Sequence, residues 1–258
     1  MQRGSGIVSG VCVALIPARG GSKRVPRKNL LPFFGHPMLS YAVAAARNSG
    51  LFQHVLVSTD DRETGKVASW YGAEYVPRPP ELAGDEAGLQ DVALHALDWL
   101  ADRGARPDML CQLMPNCPLR RAEDIRQHHE VFERERRDFQ ISVVPYRCVY
   151  PHWAMVQEPA GGRFLFGEEF LVGSQRLREA FCPTGAIWWT RCAAFRRQRS
   201  FYGTPYFLAP MDANRGVDID TAQDVEFAEL LVHGLTQRDG RSPLEPIARA
   251  AFAGGARG

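Results

Sequence analysis

Residues able to do phosphate chemistry concentrate between Val11 and Asn29, in the segment VCVALIPARGGSKRVPRKN. Its first part is a short aliphatic run ended by Pro17, which is typical of a strand buried on both faces of a parallel sheet. The next two glycines, Gly20 and Gly21, allow the backbone to approach a ligand closely and to take dihedrals closed to other residues. Hydrogen-bond donors and positive charge come from Arg19, Ser22, Lys23, Arg24, Arg27 and Lys28. Such a loop predicts a polyphosphate ligand.

The use of lysine in the chain favours that interpretation. The protein has 31 Lys and Arg residues, but its only lysines are Lys23, Lys28 and Lys66. Two of the three therefore fall in this loop, and lysine supplies a flexible point charge that can follow a phosphate. A merely solvated cationic turn is the alternative interpretation. A P-loop is excluded, because no glycine stands four residues before a Gly-Lys-Ser/Thr string, and the dinucleotide-binding string GxGxxG is absent too.

A second group of candidate residues lies far along the chain, in the string GVDIDT that ends at Thr221. Alternation turns its two aliphatic residues toward the core and places both carboxylates, Asp218 and Asp220, on one exposed face of a predicted strand end. Two carboxylates about 7 Å apart can hold a hard cation such as Mg²⁺ against a triphosphate. Thr221 is predicted to cap a helix over 222–231. The alternative is that one carboxylate supports this cap and the other is only solvated.

Strand and helix patterns alternate between these two groups. Helices are predicted over 38–48, 62–71, 91–101 and 123–136, and further strands over 54–58, 73–76, 109–114 and 139–144. This order predicts an α/β fold with a doubly wound, mostly parallel sheet, whose ligands gather at the carboxyl ends of the strands. The basic loop and Asp60-Asp61, which follows the strand at 54–58, are therefore expected to face one crevice.

Composition narrows the classes of function. The chain of 258 residues is 45% hydrophobic, which is enough for one main domain, and its net charge of +2 creates no global field that would attract nucleic acid or a membrane. No apolar run approaches the roughly 20 residues of a membrane span, and residues 1–10 lack a signal-peptide pattern, so a soluble cytoplasmic protein is expected. The dispersed cysteines have no zinc-site spacing and are expected to be reduced thiols.

The string IPARGGSKRVPRKN resembles the signature of the acylneuraminate cytidylyltransferases, which make CMP-sialic acid and related CMP-sugars. Four other stretches resemble the same family, so that the resemblance spans roughly Val11 to Val232. They are RPPELA at 78–83 (family RPxELA), MPNCPLR at 114–120 (QPTSPLR), PTGAIWW at 183–189 (NGAIY) and GVDIDT at 216–221 (VDIDT). The resemblance implies a nucleotide-diphospho-sugar transferase-like fold, CTP and an acidic nonulosonic sugar as substrates, Mg²⁺ as cofactor, and a homodimer.

The resemblance also implies roles for the residues at matching positions. The expected nucleotide-binding residues are Arg19, Gly20, Gly21, Ser22, Lys23, Lys28, Asn29, Arg78, Gln90 and Asn116. The expected catalytic residues are Arg19, Lys23, Lys28, Asp218 and Asp220, the last two as ligands of Mg²⁺, and the expected sugar contacts are Thr184 and Gly185. The chain departs from the family pattern at Met114 (Gln), Asn116-Cys117 (Thr-Ser), Thr184 (Asn) and near Gln90, where a hydroxyl is usual. For Arg78 the alternative is an exposed side chain on a proline-rigid connector.

The character of the sequence changes between Tyr146 and Phe181, where aromatic residues are interspersed with Pro and Gly without a helical period. In the family this region is a small β-rich excursion, and aromatic residues without a core of their own need burial in a partner, here a second copy. The predicted organisation is a flexible tail (1–10), a nucleotidyltransferase domain (11–145 and 183–235), a dimerisation excursion (146–182) and a weakly ordered C-terminal tail (236–258).

The predicted reaction is an in-line attack by the anomeric hydroxyl of the sugar on the α-phosphate of CTP, with release of pyrophosphate. Two alternatives stay open. One is CMP transfer to an eight-carbon acid sugar or a phosphonate, although Lys28-Asn29 favours the nine-carbon group because the eight-carbon enzymes typically read GKP there. The other is a nucleotide-binding regulator that has lost catalysis. The presence of both Asp218 and Asp220 argues against this alternative.

Overall fold

A computed structural model describes residues 10–84, 87–146, 150–167, 171 and 173–247. Its strands and helices alternate through most of the chain, as the sequence predicts. In chain order they are β1 (Cys12–Pro17), β2 (Pro32–Phe33), β3 (His36–Pro37), α1 (Met38–Ser49), β4 (His54–Thr59), α2 (Arg62–Trp70), β5 (Glu74–Pro77), α3 (Leu89–Ala101), β6 (Met109–Gln112), α4 (Ala122–Arg134), β7 (Phe139–Pro145), β8 (Met155–Glu158), β9 (Gly161–Phe164), β10 (Phe181–Arg191), α5 (Cys192–Gln198), β11 (Phe207–Pro210) and α6 (Ala222–Asp239).

The central sheet contains seven strands in the order β11-β7-β10-β6-β1-β4-β5. Parallel pairs join β1 to β4 and to β6, β4 to β5, and β7 to β11. Only β10 runs against its two neighbours in this sheet, β6 and β7. This pairing confirms the predicted mostly parallel sheet.

Helices cover both faces of the sheet, and β1 shows why. Every residue of β1 is buried, and successive side chains of a strand point to opposite faces. Cys12, Ala14 and Ile16 pack with residues of α1, α2 and α4, whereas Val13 and Leu15 pack with residues of α3 and α5. The sheet is therefore doubly wound, and its parallel strands present their carboxyl ends at one edge.

The C-terminal part of the chain differs from the prediction of a weakly ordered tail at 236–258. Helix α6 continues to Asp239, and Leu244 packs into the core cluster that α6 forms with α1. The carboxylate of Glu245, which is 6% exposed, accepts hydrogen bonds from Asn48 Nδ2 at 2.8 Å and from Ala122 N–H at 2.9 Å. The segment up to residue 247 thus belongs to the packed fold, and residues 248–258 lie outside the described residues, as do 1–9 of the predicted N-terminal tail.

The predicted excursion at 146–182 contains the hairpin of β8 and β9, which forms a two-stranded sheet separate from the central one. Large apolar side chains are exposed in this region: Trp153, Met155, Leu165, Phe166 and Leu171. Within the described ranges, no helix has both the length and the apolar character needed to cross a membrane. Five cysteines of the described chain are free thiols, and Cys148 lies outside it.

Candidate active site

A cavity of about 600 Å³ opens where the loops after β1 and β6 meet β10 and the segment before α6. It lies at the edge where the parallel strands end, as expected for this fold class. Its lining residues are Pro17, Arg19, Ser22, Lys23, Arg24, Lys28, Asn29, Leu89, Met114, Pro115, Asn116, Pro183, Thr184, Gly185, Trp188, Tyr202, Asp218 and Asp220. Of the predicted site residues, the structure therefore brings ten together here, and Gly20, Gly21, Arg78 and Gln90 are not among the lining residues.

The basic loop, residues 18–29, is fixed to the end of β4. Ala18 N–H donates to the carbonyl of Ser58 at 2.9 Å, and Gly20 N–H donates to Asp60 Oδ1 at 2.9 Å. Further along, Asn29 Nδ2 donates to the carbonyl of Arg19 at 2.8 Å, which ties the end of the loop to its start. Asp60 therefore contacts the basic loop as part of its support, whereas neither Asp60 nor Asp61 is among the residues that line the cavity.

The glycines of the basic loop act differently from the prediction. A Cβ on Gly20 would stand 2.9 Å from the Cβ of Asp61, so the close packing of the loop on α2 requires glycine at that position. The expectation that Gly20 and Gly21 take dihedrals closed to other residues is wrong, because neither has a positive φ. The left-handed position of this loop is Arg27, with φ of 52°.

Asp220 is held by cations of the basic loop. Its carboxylate accepts hydrogen bonds from Lys28 Nζ and Arg24 Nη2, both at 2.8 Å, and from Asn116 Nδ2 at 3.3 Å. Partial burial raises the pKa of Asp220, but the hydrogen bonds and charges of Lys28 and Arg24 outweigh it, so the pKa lies below its usual value. Asp220 is therefore an ionised partner of two residues expected to bind phosphate.

Asp218 is held by uncharged donors. The Cys117 thiol donates to Asp218 Oδ1 at 2.7 Å, and Gly185 N–H donates to Asp218 Oδ2 at 3.0 Å. Burial, with the charge of Asp218, raises the pKa of Cys117 well above its usual value, so the thiol keeps its proton. We call residues 114–120 and 184–187, which supply these donors, the cavity wall.

The segment that carries both carboxylates is not the predicted strand end. Residues 216–221 form no strand, although Ile219 is fully buried as expected and its N–H donates to the carbonyl of Asn116 at 2.9 Å. Thr221 caps α6, and its side chain and that of Asp224 form a reciprocal capping box. Because the cap is made by Thr221 and Asp224, it does not account for the carboxylates of Asp218 and Asp220.

These two carboxylates fit a magnesium site only in part. Among the described residues no group of three or more His, Cys, Asp or Glu side chains is placed to hold a metal ion. Mg²⁺, however, is usually bound through one or two carboxylates together with substrate phosphates and water. Asp218 and Asp220 line one cavity with the basic loop, so their donor set suits a metal that arrives with a polyphosphate.

Two predicted nucleotide-binding residues lie elsewhere. Arg78 is neither an exposed connector residue nor part of the cavity lining, because it is 9% exposed and donates to the carbonyl of Ser58 at 2.8 Å and to Ser58 Oγ at 3.2 Å. Its contact therefore supports the strand end to which the basic loop is fixed. The Gln90 side chain lies against Gly88, where a Cβ would stand 2.0 Å from Gln90 Nε2.

The two predicted sugar contacts line the cavity, but their polar groups are already engaged. Thr184 is 3% exposed, and its Oγ1 lies 2.9 Å from Ser142 Oγ. The N–H of Gly185 is used by Asp218, and a Cβ on Gly185 would stand 2.6 Å from Met114 Cγ. Gly185 is thus required for close packing of the cavity wall.

Aromatic and aliphatic lining residues were missed by sequence reasoning. Trp188 and Tyr202 line the cavity with ring centroids 5.5 Å apart, and Leu89 and Met114 add apolar surface. Trp188 Nε1 donates to the carbonyl of Thr184 at 2.6 Å, which orients the indole. Trp188 belongs to the PTGAIWW motif, so its place in the cavity could have been predicted from the sequence. Tyr202 follows α5 in a stretch without a motif, and nothing in the sequence indicated its role.

Solved structures share this fold. The CTP complex of CMP:2-keto-3-deoxy-manno-octonic acid synthetase superposes with a TM-score of 0.62 and 17% sequence identity, covering 87% of this chain and 99% of that one. A cytidylyltransferase from Leptospira borgpetersenii superposes with a TM-score of 0.56 and 17% identity, covering 92% and 98%. This chain therefore shares its fold with these two proteins.

A family model described as cytidylyltransferase matches residues 13–149, and the chain belongs to that family. It is 32% identical to a pseudaminic acid cytidylyltransferase of Campylobacter jejuni over 222 residues, which is 85% of this chain and 95% of the relative. It is also 28% identical over 221 residues to an N-acylneuraminate cytidylyltransferase of Escherichia coli, covering 84% of this chain and 51% of that protein. Family membership confirms the predicted resemblance.

Proposed function

We propose that the protein transfers CMP from CTP to a nonulosonic acid and releases pyrophosphate. The observation that carries the proposal is a single cavity in which the basic loop faces two carboxylates, in a chain of the cytidylyltransferase family. The sugar's anomeric oxygen forms a bond to the α-phosphorus, the bond from that phosphorus to the bridging oxygen breaks, and the hydroxyl proton passes to solvent.

In this proposal the basic loop binds the triphosphate. Arg19, Lys23 and Lys28 line the cavity and would hold the β- and γ-phosphates and the leaving pyrophosphate, which is an electrostatic task. Ser22 and Asn29 of the same loop also line the cavity and add uncharged polar groups. Arg78 would act indirectly, by holding the end of β4 to which the loop is fixed.

The carboxylates of Asp218 and Asp220 would hold Mg²⁺, which when bound polarises the phosphate and favours ionisation of the attacking hydroxyl. On binding of the nucleotide, Lys28 and Arg24 would exchange their partner Asp220 for phosphate oxygens. That exchange releases the Asp220 carboxylate for the metal and keeps each charge paired before and after binding.

The aromatic part of the cavity would receive the sugar. This part is lined by Trp188, Tyr202, Leu89 and Met114 and offers few hydrogen-bond donors. Such a surface suits the apolar face and acyl groups of a nonulosonic acid better than a row of hydroxyls. Asn116 Oδ1 is buried without a hydrogen-bond partner among the described residues, so it offers an acceptor near Asp220.

The test is pyrophosphate release by the purified protein with CTP, Mg²⁺ and a panel of acid sugars. The panel contains pseudaminic acid, N-acetylneuraminic acid and an eight-carbon acid sugar, and mass spectrometry identifies the CMP-sugar. We expect turnover with a nine-carbon sugar, and none when UTP replaces CTP. Turnover with the eight-carbon sugar alone would select that alternative, and binding of CTP without turnover of any sugar would favour the regulator.

We further propose that the protein is a homodimer. The hairpin of β8 and β9 is a two-stranded sheet, and exposed apolar side chains lie on it and after it: Met155 on β8 is 59% exposed, and Leu171 is 69% exposed. An isolated two-stranded sheet is marginally stable in water, so contact with a second copy would stabilise it. Light scattering is expected to give twice 28.8 kDa at micromolar concentration, and the monomer mass throughout would contradict the proposal.

Finally, we propose that the reaction takes place in the cytoplasm. The support is chemical: Cys12, Cys111, Cys117 and Cys192 are buried free thiols, as is usual for proteins of a reducing compartment. Cell fractionation with an antibody against the protein tests this localisation.

A further inference from the structure

The hydrogen bonds on Asp218 come from donors that no ligand is expected to displace. Cys117 is fully buried and donates to Oδ1 at 2.7 Å, while the backbone N–H of Gly185 donates to Oδ2 at 3.0 Å. With one fixed donor on each oxygen, the carboxylate plane is set. Asp220, in contrast, is held by cations that the proposed function assigns to phosphate.

The two donors of Asp218 belong to one packed unit. Arg120 is fully buried, and its Nη1 donates to the carbonyls of Met114 at 3.1 Å and Ala186 at 2.8 Å. Met114 N–H donates to the carbonyl of Gly185 at 2.9 Å. The turn that carries Cys117 and the part of β10 that carries Gly185 are therefore joined behind the carboxylate, so the spacing of the two donors is fixed.

We propose that Cys117 is a positioning residue for Asp218. Its thiol orients the carboxylate that would hold Mg²⁺, and it does so from the buried side, out of contact with either substrate. This role rests on the proposed function. The thiol and a hydroxyl share one property needed here, a single proton that can be donated to an ionised oxygen.

The test compares four variants with the wild type. Cys117→Ala and Cys117→Val remove the donor, the second without leaving a void, while Cys117→Ser keeps a donor. Cys111→Ala is the matched control, because Cys111 is also a fully buried thiol, on β6. The measurements are turnover against Mg²⁺ concentration, Mn²⁺ binding to the CTP complex by electron paramagnetic resonance, CTP affinity in EDTA by calorimetry, and the thermal midpoint.

We expect both donor-free variants to lose about tenfold in turnover and to bind Mn²⁺ several-fold more weakly, the order expected for losing one hydrogen bond to a charged group. CTP affinity without metal should change less than about twofold, because the basic loop supplies it. Cys117→Ser should recover most of the turnover and Mn²⁺ binding, and Cys111→Ala should retain both.

Several outcomes would overturn the role of Cys117. One is that Cys117→Ala and Cys117→Val bind Mn²⁺ and turn over substrate as well as Cys111→Ala does. Another is that Cys117→Ser loses as much Mn²⁺ binding and turnover as the donor-free variants. In either case wild-type turnover of CTP would leave the proposed function intact. Absence of CTP turnover in the wild type would overturn the proposed function itself, and the role of Cys117 with it.

Discussion

The cavity wall around Asp218 is built from buried groups, whereas Asp220 is held by side chains that reach it from the basic loop. Arg120 and Cys117 are fully buried, but the Arg24 side chain is 65% exposed and that of Asp220 is 40% exposed. Buried hydrogen bonds are costly to break, while exposed ion pairs exchange partners at little cost. The Asp218 side of the site is thus fixed before a ligand binds. On the Asp220 side, the exposed contact with Arg24 exchanges partners more readily than the contact with Lys28, whose side chain is 16% exposed.

The largest effect is expected from removing the charge of either carboxylate. Asp218→Asn places an amide N–H₂ against either the thiol or the N–H of Gly185, and Asp220→Asn leaves Lys28 without an ionised partner. We expect turnover to fall by about a hundredfold or more in each, with folding retained, because both would serve one metal. The double variant should lose little more than either single one.

A Mg²⁺ titration of the initial rate, with CTP calorimetry alongside, measures these losses. The control is Asp98→Asn, which removes an exposed, ion-paired carboxylate on α3. Unaltered Mg²⁺ dependence in both cavity variants would show that the metal binds elsewhere.

Removal of either lysine of the basic loop should have the next largest effect. Lys28→Ala and Lys23→Ala should each cost more than about tenfold in turnover, as expected from the loss of a charge-assisted contact of ~1.5–3 kcal/mol. The thermal midpoint should stay close to that of the wild type, since the side chains lie on the cavity surface. Lys66→Ala, which removes the remaining lysine on the exposed side of α2, is the control. Near-normal turnover in both loop variants would contradict phosphate binding by this loop.

A change in the cavity wall should affect stability as well as turnover. In Gly185→Ala the new Cβ would stand 2.6 Å from Met114 Cγ and 3.1 Å from Asp218 Oδ1, and such overpacking costs about 1–3 kcal/mol. We expect a lower thermal midpoint and about tenfold slower turnover, in the range of one displaced catalytic contact. Gly234→Ala on α6 has open space around its Cβ and should not destabilise the protein. An unchanged thermal midpoint in Gly185→Ala would show that the cavity wall can adjust to the added methyl group and is not rigid.

The smallest effect is expected for the most exposed contact. Arg24→Ala removes a surface ion pair with Asp220, which is worth about 0.2–1 kcal/mol, so turnover should fall at most about fivefold. The difference from the wild type should shrink as salt is raised, because added ions screen exposed charges. A loss as large as that of Lys28→Ala, independent of salt, would contradict the expectation that the exposed Arg24 contributes less to phosphate binding than Lys28 does.

Predictions from sequence succeeded where neighbours along the chain decide the structure. The strand β1 was read from its aliphatic run, and the start of α6 from Thr221, whose cap is completed by Asp224 three positions on. The prediction of a weakly ordered tail from residue 236 is wrong up to residue 247, although the sequence there is rich in Gly and Arg. The segment after α6 is held by contacts such as that of Glu245 with Asn48, which is 197 residues away.

The candidate site shows the same division. The chemistry of the basic loop and of the two carboxylates was evident from residue types, and so was their gathering at one edge of a parallel sheet. Arg78 was predicted to reach the nucleotide, but its side chain turns to Ser58 of the neighbouring strand. Its orientation depends on packing that local sequence does not encode.

Local sequence was sufficient to predict a mostly parallel sheet, the cationic loop and the two candidate carboxylates, since strand periodicity, helix caps and charge are local properties. The pairing of Lys28 with Asp220, 192 residues away, and the hydrogen bond from Cys117 to Asp218, 101 residues away, follow from the tertiary structure alone. The physical reason is that these contacts form between loops on different strands. Their partners are set by how the strands pair and how the helices pack, and those are properties of the whole chain.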